Sequence, residues 1–248
     1  MYVVFTQRKQ KVVALIFLSI IIVLSVTIRT VIYLSSKPRA SQNNSQQVNE
    51  TGDCLAPIEF IHHFTDPATI ISIIPPVFKN SKGLMPTTLI NIRVEAPLYM
   101  PTSGRIKQGS YHNEQGAQFY MWEVDVGCGI TVVFDHVTEP IEKIRALFPD
   151  IPRNDSRTDF FETQIEMDAG ELVGYTAGSV NAHNWNFAVY DASEKNYLWG
   201  TEEFKNQPKY YTQVCPFKFY DNQMAQAYEK LLTFSFNDIS VEKNLCGE

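Results

Sequence analysis

The sequence predicts a mainly β domain, a compact β-barrel or sandwich with a few short helices, preceded by one N-terminal transmembrane helix. Three observations lead to this prediction. An uncharged apolar run lies near the N-terminus, a polar low-complexity stretch follows it, and short segments rich in Val, Ile, Phe, Tyr and Thr fill much of the chain beyond residue 85. Of the 248 residues, 44% are hydrophobic, which excludes a chain that is disordered throughout.

The charge is distributed unevenly along the chain. Residues 1–39 contain six of the 21 lysines and arginines and none of the 27 acidic residues. The overall net charge is -6, so the chain beyond residue 39 is strongly acidic. Because a nucleic-acid-binding protein normally presents a basic face, this distribution argues against nucleic acid as a partner.

A membrane segment is predicted after a basic flank, residues 1–11. Residues 12–28 carry neither a charge nor a proline, and as a helix they span about 25 Å. The side chain of Arg29 can snorkel, which extends the predicted anchor to residues 12–34. A cleaved signal peptide is the alternative, but the run is longer than a typical signal core.

The anchor predicts a single-pass protein of the cell membrane, with the acidic domain outside the cytoplasm. Residues 35–53 are polar, have no apolar period and cannot bury enough surface to fold, which predicts a flexible linker. The globular domain is then expected to cover residues 54–248. The membrane is one predicted partner, and a polymer or protein at the cell surface is another.

Four cysteines, all beyond the membrane segment, predict disulfides in the translocated domain. Cys54 and Cys246 lie at the two ends of the expected domain, and domain termini are often close together. We therefore expect a Cys54–Cys246 disulfide. Cys128, between two glycines in a strand pattern, is interpreted as a small buried apolar residue.

Strands and helices follow from local patterns. The predicted strands are Leu89–Glu95, Arg105–Tyr111, Gln118–Asp125, Ile130–His136, Thr163–Met167, Glu171–Tyr175 and Asn184–Tyr190. Asp66 followed by Pro67 predicts a helix over Ala68–Ile73, because this pair is typical of a cap and first helical residue. Two further helices are predicted over Glu139–Leu147 and, capped by Asp221, over Asn222–Leu232.

Four segments occur in the order of a known pattern. They are Val94-x-Ala96-Pro97 with Gly104-x-Ile106, then Ile130–Val137, Ala169–Gly174 and Asn184–Val189. Together they resemble the duplicated-hybrid-motif domain of lysostaphin/LytM-type zinc endopeptidases, with a core over about residues 90–191. The flanking Pro75-Pro76 and Cys215-Pro216-Phe217-x-Phe219 segments also resemble uncharacterised membrane-anchored archaeal proteins.

The resemblance implies a zinc site that this sequence does not preserve. Family members use a histidine pair, H-x-H, where this chain has Asn184 and Asn186. An amide is a poor zinc ligand and no general base near neutral pH. His136 matches a family histidine that does not bind the metal. We therefore predict a non-catalytic binding or scaffold module without a cofactor.

Two further hypotheses concern site residues. A zinc endopeptidase with relocated ligands is the alternative function, and its candidate ligands are His62, Asp66, His112, Asp135 and His183. Asp66 is better explained as a helix cap, and His112 and His183 as solvated loop residues. Trp122, Trp185 and Trp199 are candidates for stacking on a ligand, with packing in the core as the alternative.

Overall fold

The computed structural model describes Cys54 and residues 56–247. The predicted flank, anchor and linker, residues 1–11, 12–34 and 35–53, lie outside the described residues. Within the described part of the chain, no helix combines the length and the apolar composition that crossing a membrane requires. The described residues form a mainly β domain, as predicted.

A seven-stranded antiparallel sheet forms the largest layer. In spatial order its strands are β1 (Ile70–Ile74), β4 (Thr88–Ile92), β12 (Asn184–Asp191), β8 (Ile130–Val137), β7 (Ala117–Gly127), β6 (Gly104–Glu114) and β10 (Asp159–Met167). Strands β1 and β10 are the edges and do not pair with each other. The sheet is therefore open, and a closed barrel, one of the two predicted forms, is wrong for the described residues.

Two smaller sheets accompany the large one. The first contains β5 (Ala96–Tyr99), β11 (Leu172–Thr176) and β9 (Glu139–Pro140), and the second contains β13 (Ser235–Phe236), β14 (Ile239–Val241), β2 (Phe78–Asn80) and β3 (Gly83–Met85). The α-helices are α1 (Glu142–Arg145), α2 (Pro208–Tyr211) and α3 (Asn222–Glu229), and 3-10 helices cover Pro67–Thr69 and Pro216–Phe219.

All seven predicted strands are present, with small differences at their ends. The predicted helix over Ala68–Ile73 is wrong. Asp66 does cap a helix, since its carboxylate accepts a hydrogen bond from the Ala68 N–H, but this helix ends at Thr69. The β-branched residues that follow, Ile70–Ile74, pair with β4 instead, because an isoleucine-rich segment packs well on a sheet.

The other two helices are shorter than predicted. Residues 139–140 pair with β11 as a strand, so the middle helix begins only at Glu142 and ends at Arg145. The C-terminal helix begins as predicted, because the Asp221 carboxylate accepts a hydrogen bond from the Met224 N–H at 2.8 Å. It ends at Glu229.

Aromatic side chains fill the core beneath the large sheet. The ring of Phe64 stacks on Phe187 at 4.2 Å and on Tyr228 at 4.6 Å. Trp122 and Trp185 are completely buried among them. Neither tryptophan can therefore stack on a ligand, so the prediction of ligand stacking is wrong for Trp122 and Trp185. Trp199 is 56% exposed and is accessible to a ligand.

Disulfides are present, but the predicted Cys54–Cys246 pair is wrong. Cys54 is bonded to Cys128, and Cys215 is bonded to Cys246. Cys128 has a φ of +57° in the tight turn between β7 and β8, which the N-terminal segment reaches. The interpretation of Cys128 as a small buried apolar residue is wrong, because its sulfur forms the disulfide with Cys54.

Candidate functional site

A polar cleft of about 550 Å³ lies at one end of the large sheet. The side chains that concern its chemistry come from β2 and the β2–β3 turn, from β6, β7, β8 and β12, and from β13 and the β13–β14 turn. Two more come from the loops that contain Ser156 and Asn181. The full set is Asn80, Lys82, His112, Glu114, Phe119, Asp135, His136, Ser156, Asn181, Asn184, Asn186, Phe236, Asn237 and Asp238.

An ion triad lies inside this cleft. The Nδ1 atom of His136 is 3.3 Å from a carboxylate oxygen of Asp135, and its Nε2 atom is 3.2 Å from a carboxylate oxygen of Glu114. The Nζ atom of Lys82 lies 3.4 Å from the other oxygen of Glu114. Both nitrogens of the imidazole are therefore engaged by acids.

The triad shifts the pKa values of all three groups. Burial alone would lower the pKa of His136, but the charges and hydrogen bonds of Asp135 and Glu114 outweigh it and raise this pKa to about 10. The hydrogen bond from His136 lowers the pKa of Glu114 to about 2. At Asp135 burial alone would raise the pKa, but the charge and hydrogen bonds of His136 outweigh it, and the pKa falls to about 2. Near neutral pH the triad holds one imidazolium between two carboxylates.

Backbone geometry brings Asp135 and His136 to the same cleft. Adjacent residues of a regular strand point to opposite faces. His136 instead has a φ of +62°, in the left-handed region that side chains rarely adopt. Its N–H donates to the Asp135 carboxylate at 2.7 Å, and its carbonyl accepts from the Thr176 hydroxyl. These two hydrogen bonds support the unusual conformation.

A tight hairpin positions Glu114. The two residues between β6 and β7, Gln115 and Gly116, both have positive φ angles, 51° and 84°. Positive φ at both central residues is typical of the type I′ turn, which suits the twist of a two-stranded hairpin. Glu114, the last residue of β6, is therefore held at a fixed point opposite the end of β8.

The two asparagines at the expected H-x-H positions both line the cleft. Asn186 lies opposite Asp135 in the β12–β8 register, and its amide nitrogen donates to the Asp135 carboxylate at 3.2 Å. The amide oxygen of Asn184 accepts a hydrogen bond from the Ser179 hydroxyl at 2.8 Å. The amide oxygen of Asn186 is buried and has no hydrogen-bond partner among the described residues.

His112 is a second imidazole of the cleft, and it is neutral. Burial lowers its pKa from the usual value. Its Nδ1 atom lies 3.2 Å from the Ser110 hydroxyl. With 3% of its surface exposed, it is not the solvated loop residue that the sequence indicated.

The five candidate zinc ligands do not form one group. His112 and Asp135 line the same cleft, whereas His62, Asp66 and His183 are not part of its lining. The His62 ring packs against Gly170, where an added Cβ would lie 2.8 Å from it. Across Cys54 and residues 56–247, no three His, Cys, Asp or Glu side chains come together as a metal site.

Sequence reasoning did not find Glu114 or Lys82. Gly116 indicates a hairpin turn and so places Glu114 at its end. The pairing of Glu114 with His136 has no local signal, because 22 residues separate the two and a full strand lies between them.

No family model matches the chain, and no curated protein matches it. A solved structure to which it is similar is the NMR solution structure of lysostaphin, with 14% sequence identity and a TM-score of 0.33. The match covers 66% of this chain and 51% of that one, so the chain spans about half of lysostaphin's length.

Proposed function

We propose that this chain is a membrane-anchored, extracytoplasmic binding module whose cleft holds a ligand without zinc catalysis. The observation that carries the proposal is that the side chains of the cleft lack a free imidazole at the expected metal positions. His136 is engaged on both ring nitrogens, and amides stand at Asn184 and Asn186.

An imidazole needs an unshared electron pair on one nitrogen to bind a metal or accept a proton. With its pKa raised to about 10, His136 is protonated on both nitrogens at neutral pH and has no such pair. The Asn186 amide is tied to the carboxylate of Asp135. These groups can therefore orient a ligand by hydrogen bonding, but they do not supply the base of a hydrolase.

The cleft has the form of a binding site. Its volume of about 550 Å³ lies within the usual range for ligand pockets, about 300–1,000 Å³. The strands that carry Glu114, Asp135 and Asn186 belong to one continuous sheet, so these side chains are held in place before a ligand arrives. A preorganised polar cleft suits binding.

The proposed location rests on two features of the chain. Disulfides persist in oxidising compartments, and the described residues contain two of them. The uncharged run over residues 12–28 supplies the proposed anchor.

A zinc peptidase remains the second candidate because His112 and Asp135 line the same cleft. Neutral His112 has the protonation state that a metal ligand requires. A ligand set of this kind would need a third residue to move toward these two.

The test measures binding and cleavage together in the 248-residue chain. The probes are a neutral tetrasaccharide and a neutral pentapeptide, titrated by calorimetry and then recovered for mass spectrometry. We expect at least one probe to bind and to be recovered intact. Asn184→Ala should weaken binding at least tenfold, and Trp199→Ala, outside the cleft, should not change it.

Zinc-dependent cleavage of the peptide, lost in Asp135→Asn, would replace the proposal with the peptidase. Absence of binding by both probes would also contradict it.

A further inference from the structure

The amide side chains of the cleft are its most frequent polar groups. Asn80, Asn181, Asn184, Asn186 and Asn237 all line it. Each amide carries both a hydrogen-bond donor and an acceptor, as does each hydroxyl of a sugar. From this match we infer that the cleft takes a neutral saccharide segment, an inference that rests on the proposed binding function.

Several of these amides are available to a ligand. The side chains of Asn181 and Asn237 are exposed and make no hydrogen bond within the described part of the chain. Asn80 and Asn184 each use only the amide oxygen, toward the Lys82 N–H and the Ser179 hydroxyl. Their NH₂ groups therefore remain to donate to a ligand oxygen.

The charges of the cleft favour a neutral ligand. Lys82 and His136 are its cations, and each contacts Glu114. Asp135 contacts His136 as well. Asp238 is the remaining acid of the lining, and it accepts a hydrogen bond from the Ser81 N–H. Since the other charges are paired with one another, a polyanion would find no unpaired cation among the described residues of the lining, and a polycation would find one unpaired carboxylate.

An apolar ring in the lining of the cleft can contact the apolar face of a sugar. Phe236, the last residue of β13, is 43% exposed and directly precedes Asn237 in the β13–β14 turn. Sugars present a C–H face and an edge of hydroxyls, so a ring beside amides contacts both parts. Phe119 is buried beneath, with its ring 4.9 Å from that of His136.

The experiment titrates the 248-residue chain with chitotetraose, a neutral tetrasaccharide, and separately with pentaalanine that is acetylated and amidated at its ends and therefore carries no charge. We expect chitotetraose to bind, and Phe236→Ala and Asn237→Ala each to weaken it at least fivefold. Trp199→Ala is the matched control, because Trp199 is an exposed aromatic residue outside the cleft. Circular dichroism melting curves confirm that each variant is folded.

The outcomes separate this inference from the proposed function. Binding of pentaalanine alone, sensitive to Asn184→Ala, would overturn the saccharide inference and leave a binding module. Loss of chitotetraose binding in Trp199→Ala, but not in the cleft variants, would place the sugar elsewhere and overturn the inference. Binding of neither probe would overturn both.

Discussion

The imidazole of His136 and the carboxylate of Glu114 meet at 3.2 Å and join the end of β8 to the β6–β7 hairpin. Lys82, in the turn between β2 and β3, contacts the same carboxylate, so Glu114 also links the hairpin to a second sheet. One acidic residue thus connects three segments that form the walls of the cleft.

The Glu114–His136 contact predicts a stability profile at alkaline pH. The pKa of His136 is about 10 in the folded chain and about 6.5 when unfolded, so its stabilising effect is present below pH 6.5 and is lost as pH rises through 10. Glu114→Gln should lower the His136 pKa and flatten this part of the profile. Urea unfolding between pH 6 and 10, with NMR titration of the histidine, measures both. An unchanged His136 pKa in the variant would contradict the triad.

Half-buried His63 and buried His112 predict a loss of stability in mild acid. Burial lowers both pKa values, so the unfolded chain binds more protons as pH falls below about 6.5, and stability declines until the folded-state pKa values are passed. His112→Asn should reduce this decline when unfolding is measured from pH 7 to 4. The control is His183→Asn, an exposed position with a φ of +48° that asparagine tolerates. An equal decline in both variants would count against the burial of His112.

The disulfides predict two specific cross-linked peptides. Digestion without a reductant, followed by mass spectrometry, should give Cys54 linked to Cys128 and Cys215 linked to Cys246. Replacing Cys215 and Cys246 by serine opens a loop of 31 residues and should cost about 3–4 kcal/mol in the chain-entropy model. Recovery of a Cys54–Cys246 peptide would contradict this pairing.

Zinc is expected to bind weakly. The amides of Asn184 and Asn186 are poor ligands, and protonated His136 offers no electron pair. Metal analysis of the purified chain should give well under one zinc per chain, and a chelator should leave the melting temperature unchanged. Stoichiometric zinc that is lost in His112→Ala would instead support the peptidase.

Residues 12–34 are predicted to remain as a membrane anchor. After an alkaline carbonate wash, the full-length chain should stay in the membrane pellet, because an apolar helix of this length is retained by the bilayer. A soluble product that begins near residues 36–41 would identify the segment as a cleaved signal peptide.

The strands are the part of the fold that the sequence predicts best. Those running from Ile130 and from Asn184 combine β-branched and aromatic residues between turn-forming segments, and both are present. Residues 70–74 contain the same residue types, but the preceding Asp66 and Pro67 are typical of a helix start, so the sequence predicts a helix there. Pairing with β4 decided its structure, and a partner strand is not visible in a local pattern.

The sequence by itself determined the mainly β class, the helix cap at Asp221 and the presence of amides at Asn184 and Asn186. Only the tertiary structure decided which cysteines pair, that Trp122 and Trp185 are buried, and that Glu114 meets His136. The first set depends on interactions between near neighbours in the chain. The second depends on distances between residues far apart in sequence, which are set by how the sheets pack.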